Sequence, residues 1–370
     1  MKKINVCFHI GNISNCGGTE NVTTQISNLI LDNYDKYNVT ILSSYYDIES
    51  GPFFKGNEKI KYDRLFDKKM SFKKNYFKVI NQLKKYIVEN NIDVLIGVDT
   101  ILSLFDIPAI KGTKCKYIAW EHFNFNYNLG VKLRDIGRRY AVKKASALVV
   151  LTDRDKNYFE KNLKIKCELE RIYNPFVFKN IQEKYIPNNK TIVSAGRLTS
   201  QKGFDILLEV AKKIKDKNVD FKWIILGDGE DKKLLEAKII EYGLSKNVEL
   251  KGKVKDVNSF YKESRMFVLT SRFEGLGLVV LEAKMNCLPV ISFDCDCGPS
   301  EMIKDSINGY LIKPFDVEEM SNKIIELLEN DDKCIKFSNN AKLEIEKFDP
   351  KNIINEWDNL ISEVISKWRK

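Results

Sequence analysis

Arg197 and Lys202 stand in Gly196-Arg197-Leu198-Thr199-Ser200-Gln201-Lys202-Gly203, a short polar segment framed by glycines. Arg197 offers a planar fork of donors and Lys202 a mobile point charge, while glycine lets a backbone come close. Together they suit a diphosphate leaving group, whose developing charge needs fixed cations. Taken singly, each is more simply a surface cation beside a turn. A second segment, Ser271-Arg272-Phe273-Glu274-Gly275-Leu276-Gly277-Leu278, runs into Val279-Val280-Leu281-Glu282-Ala283-Lys284. Its glycines open a helix, whose first N–H groups favour a phosphate or sugar oxygen. Glu282, further along that helix, can accept hydrogen bonds from a pair of ribose hydroxyls. The plainer alternative is a solvated glutamate on a helix whose glycines only shape a turn.

Such residues need rigid elements behind them, and the apolar pattern supplies these. Short β-branched runs alternate with amphipathic stretches, which predicts parallel sheets wrapped by helices. In the first half, strands are predicted at Ile4–Ile10, Val39–Leu42, Val94–Val98, Tyr117–Trp120 and Ala147–Leu151. Helical spacing joins Val22, Ile26, Leu29 and Ile30, and again Phe72, Tyr76, Val79, Ile80, Leu83 and Ile87. A polar stretch with Asn174-Pro175 and Pro187-Asn188-Asn189 breaks the rhythm and reads as a linker. The alternation restarts with strands at Ile192–Ala195, Trp223–Leu226, Val248–Leu250, Phe267–Thr270 and Val290–Phe293. Helices follow at Phe204–Lys215, Asp231–Tyr242 and Leu278–Met285, and a last one after Asp349-Pro350 carries Ile353, Ile354, Trp357, Leu360, Ile361 and Val364. At 370 residues, two domains are also what chain length favours. The expected boundaries are 1–180, completed by a C-terminal helix over 350–370, and 188–349.

No apolar run approaches the ~20 residues that span a bilayer. Ile4–Ile10 follows Met1-Lys2-Lys3 but is broken by Asn5 and His9 and meets no small-residue cleavage site, so it reads as a first strand. The eight cysteines are scattered, and only Cys295 and Cys297 lie close together. With His9 and His122 the only histidines, reduced thiols in a cytoplasmic protein are expected, and no zinc. The net charge of +10 is unevenly placed: residues 1–180 hold 30 Lys/Arg against 19 Asp/Glu, residues 181–370 hold 31 against 32. The basic half suits a polyanion or an anionic membrane surface.

Gly196-Arg197…Lys202-Gly203-Phe204, Gly227-Asp228-Gly229 and Glu274-Gly275-x-Gly277…Glu282-Ala283, ending in Leu288-Pro289-Val290, resemble glycosyltransferase family 4 in order and spacing through the whole second half. The first half agrees in its Gly-Gly loop, a mid-domain histidine and the final helix. The resemblance implies the GT-B fold: two Rossmann-like, doubly wound α/β domains facing a central cleft, with the C-terminal helix crossing back to the first. It also implies a retaining enzyme that uses a nucleotide sugar without a metal. Arg197 and Lys202 would then hold the donor diphosphate and Glu282 the ribose. Glu274 and the N–H groups of Gly275, Leu276, Gly277 and Leu278 would hold the donor sugar. Gly196 lies beside the diphosphate, and Gly227, Lys253 and Val254 would border the base. Gly17 and Gly18, in Cys16-Gly17-Gly18-Thr19-Glu20, would approach the phosphates from the first domain, where doubly wound folds keep phosphate loops. His122, in Trp120-Glu121-His122-Phe123, would contact the sugar and stabilise charge on it; a structural histidine is the alternative. Asp294-Cys295-Asp296 looks like a metal motif of the other major glycosyltransferase fold, but here it reads as a turn shaping the donor pocket. Gly298-Pro299-Ser300-Glu301 is similar to a subgroup making bacterial surface polysaccharides.

The expected reaction is hexosyl transfer (Gal, GalNAc or Glc) from a UDP-sugar to a saccharide or lipid-linked saccharide, for capsule, O-antigen or another surface glycan. Two basic stretches, Lys68, Lys69, Lys73, Lys74, Lys78, Lys84 and Lys85, then Lys132, Arg134, Arg138, Arg139, Lys143 and Lys144, are either solvated helix faces or a headgroup-binding surface. The second reading places the protein peripherally on the inner face of the plasma membrane. No nucleic-acid motif accompanies the charge. A non-hydrolysing nucleotide-sugar epimerase shares the architecture but needs more acid/base groups than two histidines provide. A silent nucleotide-sugar-binding protein would not need Arg197, Lys202, Glu274 and Glu282 together.

Overall fold

The computed structural model describes residues 3–46, 51–176, 185, 187 and 189–367. The chain divides into two compact units: Met1–Pro175 with Lys347–Lys370, and Phe176–Glu346. Within the expected linker, Asn188 lies outside the described residues, as do 368–370 of the expected last helix.

The first unit opens with β1 (Ile4–Ile10), α1 (Gly18–Asn33), β2 (Tyr37–Tyr45) and β3 (Lys61–Phe66). Then come α2 (Tyr76–Glu89), β4 (Val94–Val98), α3 (Ser103–Ile110) and β5 (Lys116–Trp120). It continues through α4 (Lys132–Lys144), β6 (Ala147–Val150), α5 (Asp153–Asn162) and β7 (Glu168–Arg171). Its sheet is parallel in the order β3-β2-β1-β4-β5-β6-β7, so the winding reverses between β1 and β4. Central strands such as β4 are buried along their whole length, because helices cover both faces.

In the second unit, β8 (Thr191–Ala195), α6 (Phe204–Asp216), β9 (Lys222–Leu226), α7 (Lys232–Glu241) and β10 (Val248–Gly252) form one half. The other holds α8 (Val257–Lys262), β11 (Met266–Leu269), α9 (Leu278–Met285), β12 (Val290–Phe293), α10 (Pro299–Met302) and β13 (Gly309–Ile312). Then follow α11 (Val317–Glu329) and α12 (Asp331–Asn339), and α13 (Pro350–Ser366) returns to the first unit. The order β10-β9-β8-β11-β12-β13 reverses between β8 and β11.

Local chemistry explains the boundaries. Phe204, Leu207, Leu208, Ala211 and Ile214 line one buried stripe of α6. The Asp349 side chain accepts the Lys351 N–H while Pro350 sits in the first turn, so α13 starts where a fixed φ and an acceptor coincide. That helix is held by Trp357 against Trp120, centroids 4.9 Å apart, and by Tyr37 donating to Asp358 at 2.6 Å.

The apolar-run reading omitted β3, β7 and β13. All three are edge strands, and β3, Lys61-Tyr62-Asp63-Arg64-Leu65-Phe66, buries only Leu65. The helix expected from Phe72 begins at Tyr76; Phe72 lies in the turn before it, its ring against Phe105 at 5.1 Å.

Candidate functional site

In an open α/β sheet the crevice lies beyond the carboxyl ends of the strands where winding reverses. In the second unit those ends belong to β8 and β11, and the segments leaving them carry Arg197, Lys202 and Glu274. Glycines let three segments touch backbone to backbone. A Cβ on Gly227 (φ +133°) would lie 1.9 Å from the Gly196 carbonyl oxygen, and one on Gly203 (φ +65°) 2.1 Å from that of Thr270. Gly227 N–H also donates to Gly252 at 2.9 Å, placing it beside the segment leading to Lys253 and Val254.

This packing fixes Lys202, whose stem crosses Gly196. Its Nζ lies 2.6 Å from Glu274 Oε1, and Ser271 Oγ donates to the same oxygen at 2.6 Å. Glu274 is 4% exposed, so the pair works in a medium much less screening than water. Arg197 is exposed, with no side-chain partner among the described residues. Gly277 (φ +78°) caps α9 in the left-handed region; Val280 N–H donates to the Gly277 carbonyl at 2.9 Å, and the Leu278 and Val279 N–H groups before it lack intrahelical acceptors. Glu282 Oε2 accepts from the buried Tyr261 hydroxyl at 3.1 Å. Burial raises the Glu282 pKa; the Tyr261 hydrogen bond and the Lys202 charge oppose the rise. The sequence reading missed Ser271 and Tyr261. Ser271 shares a turn with Glu274 and was within reach of local reasoning; Tyr261 comes from a separate helix.

Asp294-Cys295-Asp296 packs behind this cluster. The Asp296 carbonyl accepts Glu274 N–H at 3.2 Å, and Cys295 is buried, its pKa raised by burial and then by the Glu274 charge. Gly298 (φ +92°) closes the loop on Leu276, whose carbonyl oxygen would lie 2.5 Å from a Cβ. Among the described residues no cluster of three or more His, Cys, Asp or Glu is placed to hold a metal ion.

In the first unit, Gly17 caps α1 after β1, and the Glu20 carboxylate folds back over it, 2.3 Å from where a Gly17 Cβ would be. Gly18 is exposed. His122 follows β5 and is 9% exposed, its ring 4.3 Å from Trp120. Its Nε2 is buried without a hydrogen-bond partner among the described residues. Burial lowers its pKa to about 4 against the pull of Glu121, so the imidazole is neutral at physiological pH. A neutral imidazole can give or accept a hydrogen bond without carrying a charge of its own.

The loop around His122 is set by buried ion pairs. Glu121 Oε2 accepts from Arg138 Nε at 2.7 Å and from Thr100 Oγ1 at 2.6 Å, while Oε1 accepts Phe123 N–H at 3.0 Å. Burial alone would raise the Glu121 pKa; Arg138 and Thr100 outweigh it, and the net shift is downward. Arg138 also donates to the carbonyls of Phe125 and Tyr127, at 3.0 and 2.9 Å. Asp99, at φ +109°, accepts two hydrogen bonds from Arg134. Arg134 and Arg138 are thus corrected from headgroup-facing cations to buried structural ones. Their partners lie just beyond the ends of β4 and β5 and in the loop that follows β5, invisible to a charge count along α4.

Two parallel Rossmann-like units give this chain the architecture of the GT-B glycosyltransferases. The same fold occurs in the crystal structure of a Staphylococcus aureus TarM mutant in complex with Fondaparinux, alpha-GlcNAc-glycerol and UDP, with TM-score 0.78 and 18% identity over 98% of this chain and 100% of that one. An uncharacterized glycosyltransferase of Haemophilus influenzae is 32% identical over 361 residues, 98% of this chain and 100% of its own. A Campylobacter jejuni alpha-1,4-N-acetyl-D-galactosaminyltransferase, named for an acceptor on PP-undecaprenol, is 29% identical over 95% of this chain and 96% of its own. Residues 177–344 match the family model "Glycosyl transferases group 1", and the chain belongs to that family.

Proposed function

We propose that this chain is a retaining, family 4 hexosyltransferase that moves Gal, GalNAc or Glc from a UDP-sugar to a lipid-linked saccharide during bacterial surface-glycan synthesis. The observation carrying the reading is the Lys202–Glu274–Ser271 cluster before the start of α9, with the exposed Arg197 on the same segment as Lys202. Arg197 and Lys202 hold the departing diphosphate, and Glu274 orients Lys202 while an edge of its carboxylate meets the donor sugar. The N–H groups of Gly275 to Leu278 take sugar or phosphate oxygens, and Glu282, braced by Tyr261, takes the ribose hydroxyls. Gly227, Lys253 and Val254 border the base. Neutral His122 gives or accepts a hydrogen bond at the sugar, and Gly17-Gly18 approach the phosphates. No metal or cofactor is assigned a step.

Retention follows from front-face attack, with the leaving phosphate taking the acceptor's proton while the two cations hold its charge. UDP and the lipid-linked acceptor are supported by what the TarM and Campylobacter proteins bind or act on. Such an acceptor places the protein at the inner face of the plasma membrane; no helix among the described residues is long and apolar enough to cross it. Arg197→Ala should lower turnover about 10²–10³-fold with an unchanged Tm, the scale of losing one preorganised charge donor. Product anomers are read by NMR after a donor screen. Near-normal turnover in Arg197→Ala, or an inverted product, overturns the assignment.

A further inference from the structure

We infer that one face of the first unit, built from the start of α2, the outer side of α4 and the loop before it, docks on an anionic bilayer by inserting apolar tips between cations. The inference deepens the membrane-linked reading above and rests on it for its biological purpose. With Arg134 and Arg138 buried, the cations left exposed on α4 are Lys132, Arg139, Lys143 and Lys144. Lys132, Ile136, Arg139 and Lys143 recur at helical spacing and share one side, and Ile136 is 52% exposed in the middle of that stripe. Asp135, the acid of this helix, is turned to Asn128 and Arg138.

Two further apolar residues precede the helix. Val131 is exposed, and Leu129 projects from a left-handed position (φ +53°) that glycine would occupy without strain. Asn128 holds that turn by accepting Gly130 N–H at 3.0 Å. Across α3, the first turn of α2 presents Phe77, 77% exposed, among Lys73, Lys74 and Lys78. Its neighbour Tyr76 packs on Phe105 of α3 and lies near enough to Tyr140 of α4 to help burial raise that phenol's pKa. Both α2 and α4 pack on α3, so the two basic stretches, far apart in sequence, lie on helices that flank one common neighbour. Solvated helix faces need cations alone; bulky apolar tips set among cations are the pattern of interfacial binding.

The test uses the full chain in co-sedimentation with vesicles of phosphatidylglycerol and phosphatidylcholine, against phosphatidylcholine alone, with donor hydrolysis measured in solution alongside. Each cation near such a surface is worth about fivefold in binding. Lys132→Glu/Arg139→Glu/Lys143→Glu should therefore weaken partitioning by at least ~100-fold, and Phe77→Ser/Ile136→Ser by about tenfold. Leu129→Gly should weaken it too, yet leave Tm unchanged or higher, since a structural role for Leu129 would lower it. Wild-type binding that ignores phosphatidylglycerol, or apolar variants that bind as wild type, overturns the inference. A wild-type dimer that Phe77→Ser/Ile136→Ser dissociates would assign the face to a second copy and overturn it as well. Donor turnover without vesicle binding sinks the docking face alone; vesicle binding without turnover sinks the transferase reading alone.

Discussion

Lys202→Met separates what Lys202 does for the fold from the part proposed for it in catalysis. The methionine stem can lie across Gly196 as the lysine stem does, so the packing change is small and the lost group is the charge. Glu274, 4% exposed, then keeps only Ser271 of its two 2.6 Å partners. Breaking a buried pair from one side costs about 3–5 kcal/mol. Because the Lys202 side chain is 16% exposed, the lower end applies. At about 2–4 °C per kcal/mol for a unit of this size, Tm should fall by about 6–12 °C. Turnover, followed by nucleotide release, should fall about 10²–10³-fold. Lys202→Met/Glu274→Gln removes both charges and retains the Ser271 hydrogen bond, so most of the lost stability should return through pairwise coupling. Turnover should not return. A single variant with wild-type Tm would refute the buried-pair argument, and a double variant that regains turnover would refute the diphosphate role.

Three other perturbations probe the rest of the site. Tyr261→Phe removes the donor to Glu282 while leaving the ring against Phe267, so the donor KM should rise several-fold, worth about 1 kcal/mol, with kcat nearly unchanged; an unchanged KM would cut Glu282 from donor binding. His122 is held near pKa 4 in the fold, against about 6.5 unfolded, so the unfolded chain takes the proton first. Stability from keeping it neutral is complete above pH 6.5 and is lost as pH falls toward 4, by about 3 kcal/mol in all; Tm against pH should be flatter in that window for His122→Phe than for wild type, and parallel curves would contradict the burial argument. Gly227→Ala should lower Tm by 5 °C or more, a loss of about 2 kcal/mol, because its Cβ would strike the Gly196 carbonyl; a neutral Tm would show that the β8 and β9 loops give way easily.

Much of this architecture was legible because parallel strands buried on both faces read as continuous apolar runs, as in Val94–Val98 and Val290–Phe293. The Arg197, Lys202 and Glu274 cluster was legible because its residues leave two strands that are neighbours at the switch point, β8 and β11, within two short segments. What escaped was spatial: Tyr261 reaches Glu282 from another helix, and Asp99 reaches Arg134 from the end of β4. The glycines were only half understood. Gly227 is expected at the border of the base, and independently of that its positive φ and the carbonyl filling its missing Cβ require glycine.

The basic half teaches a more specific lesson about α4. Arg134, Gly137, Arg138 and Ala141 follow one another at helical spacing, and all four are buried. Gly137 is the diagnostic member: a Cβ there would lie 2.4 Å from the Thr100 carbonyl oxygen, so this side of the helix presses directly on backbone. A small residue flanked at that spacing by two arginines marks a packed face whose guanidiniums must find acids and carbonyls, as these do in Asp99, Glu121, Phe125 and Tyr127. The opposite stripe of Lys132, Ile136, Arg139 and Lys143 contains no such small residue and is free to meet a partner. Charge counted along a helix is therefore a poor guide to the surface it presents; charge counted by face, with glycine and alanine marking the buried side, separates the cations that build the His122 loop from those left to bind.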